Sequence, residues 1–154
     1  MRKYLLLSLT LLFTISLQAK DIDKLIKQYK DKENATYFYL DGKKKLDKEL
    51  MQGINEVIRN VDHIEFLSLN QSTENEKILF HNKLNHLNVK SYKTLMLVKS
   101  DAADLRFLML EGRNKIVRFL ILNLAKDPWL LSIKGKLPLE FTKDSMNSLK
   151  NIMK

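Results

Sequence analysis

Cysteine is absent from the 154 residues. That excludes disulfides, thiolate metal sites, thiol catalysis and lipid attachment through an N-terminal cysteine. Glycine is scarce. The four, Gly42, Gly53, Gly112 and Gly135, are too dispersed to form a phosphate-cradling loop. No G-x-S-x-G nucleophile elbow occurs. The three histidines are His63, His81 and His86, and the last two are five apart, a spacing that does not stack them as i, i+4 metal ligands. They read as surface or partly buried polar residues. The acid pairs Asp21 and Asp23, and Glu74 and Glu76, suit the first turns of helices, where negative charge is favoured. No catalytic or metal constellation emerges and no cofactor is implied. The chain reads as non-enzymatic, with a hydrolytic enzyme of dispersed residues ranked behind the binding roles below.

Negative charge is also missing from the first 20 residues. Arg2 and Lys3 precede an uncharged, mostly apolar run, Tyr4 to Leu17, and then Gln18-Ala19 before the polar KDIDK. This is the n-region, h-region and small-residue pattern of a secretory signal peptide. The run of 14 residues falls short of the roughly 20 that a membrane-spanning helix needs. The expectation is cleavage near Ala19 and a mature protein, periplasmic or extracellular, forming a single domain over residues 20–154. Membrane association is not indicated beyond this leader.

What remains is an ordinary globular composition, 45% hydrophobic and 29% charged, with a net charge of +9. Loss of Arg2 and Lys3 leaves +7. Such an excess suits anionic partners. The lysines, however, are scattered among acids, and the basic-glycine-aromatic signature of an RNA-binding sheet is missing, so no nucleic acid partner is expected.

Asp21 to Lys30 sets Ile22, Leu25, Ile26 and Tyr29 at helical spacing. Thr36 to Leu40, TYFYL, reads as a short strand bounded by Asn34 and Asp41-Gly42. Lys45 to Val61 carries the best helical stripe in the chain: Leu46, Leu50, Ile54, Val57, Ile58 and Val61. His63 to Leu69 reads as a strand with Ile64 and Phe66 on one face and Leu67 and Leu69 on the other. Thr73 and Glu76 have capping-box spacing, which predicts a helix over 74–87 with Phe80, Leu84 and Leu87 inward. Tyr92 to Leu137 contains four strands in succession, and Thr142 caps a last helix over 141–154. The fold class is α+β: a mainly antiparallel sheet ending in a four-strand meander, packed against amphipathic helices in the order α-β-α-β-α-β-β-β-β-α.

Register within the meander decides which side chains share a face. A three-residue loop, Gly112, Arg113 and Asn114, puts Leu105, Phe107 and Met109 on one face with Val117, Phe119 and Ile121, and gives Asn114 the left-handed position. Trp129, Leu131 and Ile133 join that face. These nine odd-numbered residues are expected to be the principal core beneath the helices. The other face carries Leu108, Leu110, Ile116, Leu120, Leu122 and Leu130 with Arg106, Arg118, Ser132 and Lys134. A sheet with one solvated face alternates apolar and polar residues, and this one does not. The cover is one of the protein's own helices, a protein partner or second copy, or an apolar ligand. Arg106, Leu108, Leu110, Ile116, Arg118, Leu120, Leu122 and Leu130 therefore form the candidate interaction face.

The stretches LIKQYKDKENATYFYL, HIEFLSL, Tyr92-Lys93-Thr94-Leu95-Met96, DLRFLMLEGRNKIVRFLILNL and WLLSIKGKL together resemble the domain of unknown function 4252 family. That family comprises small secreted or lipid-anchored proteins found mainly in Bacteroidota. Gly112-Arg113-Asn114-Lys115 stands where relatives have an acidic or glycine turn and then a lysine, and Gly135 matches a glycine near the end of the last strand. Arg118 or its neighbours fall where the family often has a glutamate, so no polar role carries over there. The resemblance implies an exported α+β fold and no defined activity. The expected function is a binding or interaction module at the cell envelope, with a carrier of an apolar or lipid-like ligand as the alternative.

Overall fold

The computed structural model describes residues 21–42, 60–113 and 115–137. The predicted helices over 45–61 and 141–154, apart from the end of the first, lie outside these residues, as do Asn114 and the leader. Within them, helix α1 covers residues 21–29. It is followed by β1 (Thr36–Asp41), β2 (Val61–Ser68), α2 (Glu74–Asn85), β3 (Lys93–Lys99), β4 (Asp104–Gly112), β5 (Lys115–Asn123) and β6 (Trp129–Leu137).

Local chemistry accounts for the helix boundaries. Thr73 caps α2 in both senses: its hydroxyl accepts from the Glu76 N–H, and the Glu76 carboxylate accepts from the Thr73 N–H. This reciprocal box satisfies donors that the first turn leaves open. Past α1 the chain turns at Asn34, whose φ of 61° lies in the left-handed region that asparagine tolerates. That turn feeds β1.

The six strands form one antiparallel sheet in the order β1-β2-β6-β5-β4-β3. The meander from β3 to β6 is present as the turn signals implied. β2 then adds beside β6, with Phe66 opposite Leu131 and Leu67 opposite Leu130, and β1 closes that side. Near the end of β6 the backbone of the Asn60–Val61 segment runs so close that a Cβ on Gly135 would lie 2.2 Å from the Asn60 carbonyl oxygen. Only glycine fits there without a backbone shift.

The β4–β5 register differs from the three-residue loop. Gly112 pairs with Lys115, leaving a two-residue connection at Arg113 and Asn114, and Met109 faces Phe119 while Phe107 faces Ile121. A bulge reconciles the short loop with a single apolar face. Between Leu110–Arg118 and Glu111–Ile116, β5 carries one extra residue, Val117. An extra residue in one strand reverses the inside–outside sense beyond it. Ile116 consequently leaves the even-numbered set and is buried with Phe107, Met109, Phe119, Val61 and Leu137, whereas Val117 packs against the opposite cluster.

The faces are also used differently from the expectation. Both described helices lie on the even-numbered side. Ile22, Leu25, Ile26 and Tyr29 of α1 and Phe80 and Leu84 of α2 are buried in one cluster with Leu67, Leu108, Leu110, Leu120, Leu122 and Leu130. Tyr29 and Phe80 bring the two helices together, their rings 4.9 Å apart and tilted by 54°. The larger cluster is therefore the even-numbered one, and the odd-numbered face forms a second. Burial on either face is favourable by the same area argument, so the strand pattern alone did not distinguish them.

Candidate functional site

The predicted interaction face is for the most part interior. Leu120 and Leu130 are fully buried, Leu108, Leu110 and Leu122 nearly so, and all five pack with α1 and α2. Ile116 is on the other side of the sheet. Aliphatics sealed by the protein's own helices present nothing to a partner. The two arginines of the set have opposite fates.

Arg118 is 1% exposed and donates from its guanidinium to Asp23 Oδ1 of α1. Asp23 is itself about two-fifths exposed and receives Lys134 Nζ on Oδ2 at 3.4 Å. Tyr92 is buried beside this pair. Burial pushes its hydroxyl above the ordinary tyrosine range, and the Arg118 charge works against that rise. The ion pair fastens α1 to β5, because a guanidinium at such depth needs its counter-charge. Beside it runs a groove of about 310 Å³ walled by Asp23, Lys27, Lys30, Tyr39, His63, Glu65 and Lys134. Glu65 accepts from the Tyr37 hydroxyl at 2.9 Å and lies 3.3 Å from His63 Nε2, and the Tyr39 ring stacks on His63 at 5.6 Å. Tyr37 is held well above its usual pKa, first by burial and then by this carboxylate. Tyr37, Tyr39, His63 and Glu65 are thus occupied with one another.

Arg106 stands on the same sheet face in β4, partly exposed, and its guanidinium donates to the neutral Asn85 Oδ1 at 3.0 Å. It forms no ion pair among the described residues. It borders a cleft of about 410 Å³ between the C-terminal end of α2, the segment leading to Val89, and strands β3 and β4. Leu84, Leu108 and Leu122 contribute its buried apolar surface; Leu87 and Val89 line it from the segment after α2. Leu97 of β3 lines the outer wall and is 65% exposed, the highest value among the exposed large hydrophobic side chains of the described residues. Lys99 and Asp104 complete the rim. Of the predicted face, Arg106 thus meets the outside here, and Leu108 and Leu122 form the buried floor beneath it. The signal that sequence reasoning missed was Leu97. It belongs to the edge strand and shares a face with Arg106, which it directly opposes.

Among the described residues no three of His, Cys, Asp or Glu gather as a metal would require. His86 Nδ1 lies 2.7 Å from the Asn82 carbonyl, and His81 lines a separate hollow with Ile78 and Lys77.

The order of strands and the position of the cleft can be set beside known proteins. Residues 29–144 match the family model described as Domain of unknown function (DUF4252). The chain belongs to this family. No curated protein and no solved structure matches it. The DUF4252 match includes every residue that lines the cleft and all six strands, but starts after Asp23. The anchor of α1 therefore straddles its boundary, and the cleft lies wholly within it.

Proposed function

We propose that this DUF4252 protein is an exported, non-enzymatic binding module that works at the cell envelope, and that the cleft beside β3 is where it binds. Three lines support the reading: the leader-like N-terminus, the absence of a catalytic spacing in the sequence, and the character of the cleft. The cleft carries most weight. A half-open, largely apolar trough rimmed by Arg106 and Lys99 with the single carboxylate of Asp104, its arginine bonded among the described residues to a neutral amide, accepts an apolar group that ends in or adjoins a negative charge. A buried apolar contact supplies affinity, and a charge-assisted bond to arginine fixes orientation.

Two occupants meet that description. The first is an apolar segment of a protein partner with an acidic residue beside it. The second is a lipid-like amphiphile, favoured by the cleft's size, since small-molecule sites span roughly 300–1,000 Å³. A photo-crosslinking amino acid in place of Leu97, in protein expressed in its own host, separates them. A discrete protein adduct that weakens with Arg106→Ala supports the partner; an added mass of lipid size supports the carrier. Diffuse labelling that Arg106→Ala leaves unchanged would dismiss the cleft as the binding site.

A further inference from the structure

The two edges of the sheet are built differently. β3 is protected against pairing with another chain. Lysines stand at both its ends, Lys93 and Lys99, and a bulge interrupts its register between Thr94 and Met96. Charge and irregularity are the usual ways in which an edge strand is kept single. β1 has neither. Its register against β2 runs without a break from Thr36 to Asp41, residues 36–40 carry no charge and no proline, and the lysine run begins only past Gly42. Phe38 and Tyr39 are 53% and 51% exposed.

Among the described residues no strand lies beyond β1, and the groups it turns away from β2 follow from one contact. The Gly42 N–H donates to the Asp62 carbonyl at 3.0 Å, in line with the β1–β2 register. Inward and outward bonding alternate along an antiparallel strand. Even-numbered residues of β1 therefore bond to β2, and Tyr37 and Tyr39 direct their N–H and C=O groups outward.

From this geometry we infer that β1 is a self-pairing edge and that its occupant is β1 of a second copy, antiparallel about a two-fold axis at Phe38. The sequence around Phe38 is nearly symmetric, Thr-Tyr-Phe-Tyr-Leu. Centred there, Tyr37 of each copy opposes Tyr39 of the other, and both exchange their outward backbone bonds. Phe38 meets its own symmetry mate at a non-hydrogen-bonded position, where Cα atoms approach to about 4.5 Å and side chains are closest. Both copies then keep their helices on one side of a twelve-stranded sheet. On the opposite side Phe38 is paired with Phe66, whose ring is 5.9 Å from Trp129. The two aromatic clusters thus become one strip. A strongly basic chain repels its copy at long range, and the uncharged segment 36–40 is where that repulsion is least at contact. Pairing through one short strand falls in the class of small interfaces, below about 1,200 Å², so the dimer is concentration-dependent. This inference is independent of the cleft, which lies at the other edge.

The native absence of cysteine gives a direct test in the full mature chain. Phe38→Cys places two thiols face to face within the Cα range of about 4.4–6.8 Å that disulfides accept, and is expected to cross-link under mild oxidation. Tyr39→Cys opposes Tyr37 and is expected to stay uncross-linked. Sedimentation of the unmodified protein should show the mass rising from one copy to two with concentration. Tyr39→Pro, which removes an outward donor and leaves the β2 ladder intact, should abolish that rise with unchanged circular dichroism. Phe38→Lys, which sets like charges face to face, does the same should the proline variant not fold. A monomer throughout the concentration range, a dimer indifferent to Tyr39→Pro and Phe38→Lys, or equal cross-linking at positions 38 and 39 would overturn the inference.

Discussion

Arg118 and Arg106 stand on the same face of the same sheet, yet one is a buried structural ion and the other is the proposed recognition group. Arg118 lies under α1, sealed from water, with Asp23 as its counter-charge. Arg106 lies where α2 ends and the cover stops, and its described partner is a neutral asparagine. The difference is in what the helices reach. Both α1 and α2 bury their stripes near the middle of the sheet, and the β3 side of that face is left as a cleft. An arginine read from sequence carries the same charge in either place. Its role depends on whether another element brings a carboxylate to it.

The largest effect is expected at the closed centre. Leu120→Asp puts a carboxylate at a fully buried position with no cation assigned to it. The cost of an unpaired buried charge is several kcal/mol, comparable to the whole stability of a domain, about 5–15 kcal/mol. Loss of the cooperative thermal transition checks this; a folded variant would mean that the helices do not seal the face. Next comes Asp23→Asn, which removes from buried Arg118 the counter-charge that α1 brings to it. Breaking such a pair costs about 3–5 kcal/mol, and the exposure of Asp23 favours the lower end. Denaturant melts should show that loss, with α1 releasing first in hydrogen exchange.

Beside the groove on the closed side, Tyr37→Phe removes the bond to Glu65 and costs about 1 kcal/mol, reduced from the usual value for a charged acceptor by partial exposure. It also has a pH signature. The Tyr37 pKa is raised in the folded state, so its contribution is complete below the unfolded value of about 10 and is lost as pH rises through the folded one. Stability of the unmodified protein should therefore fall above about pH 10, less steeply in Tyr37→Phe. Thr73→Ala breaks the cap of the helix that walls the cleft and should cost about 0.5–1 kcal/mol in thermal melts. The smallest change in stability is expected at the open end. Arg106→Ala should lie within about 0.5 kcal/mol of the parent, while binding in the cleft is lost.

Much of this arrangement was legible in the residues. The stripe Ile22, Leu25, Ile26 and Tyr29, the Thr73–Glu76 box and the four-strand run all came from periodicity and capping chemistry, which are local. The odd-numbered alignment of Phe107, Phe119, Ile121 and Ile133 was legible too, because both hairpins conserve parity. What was not legible was tertiary. The Val117 bulge shortened the loop and moved Ile116 across the sheet, and nothing in the spacing marks an inserted residue. The choice of the even face for α1 and α2 was hidden because both faces are apolar. Arg106 and Arg118 were grouped as equals because Asp23, which tells them apart, lies 95 residues from Arg118.

The central claim is that the cleft at Arg106 binds something in the protein's own compartment. Native mass spectrometry of mature protein purified from its host, compared with Arg106→Ala prepared in the same way, tests it most directly. The account predicts a defined added mass, a lipid-like molecule or a partner chain, on the parent and its loss from the variant. Bare spectra for both, or the same added mass on both, would contradict it.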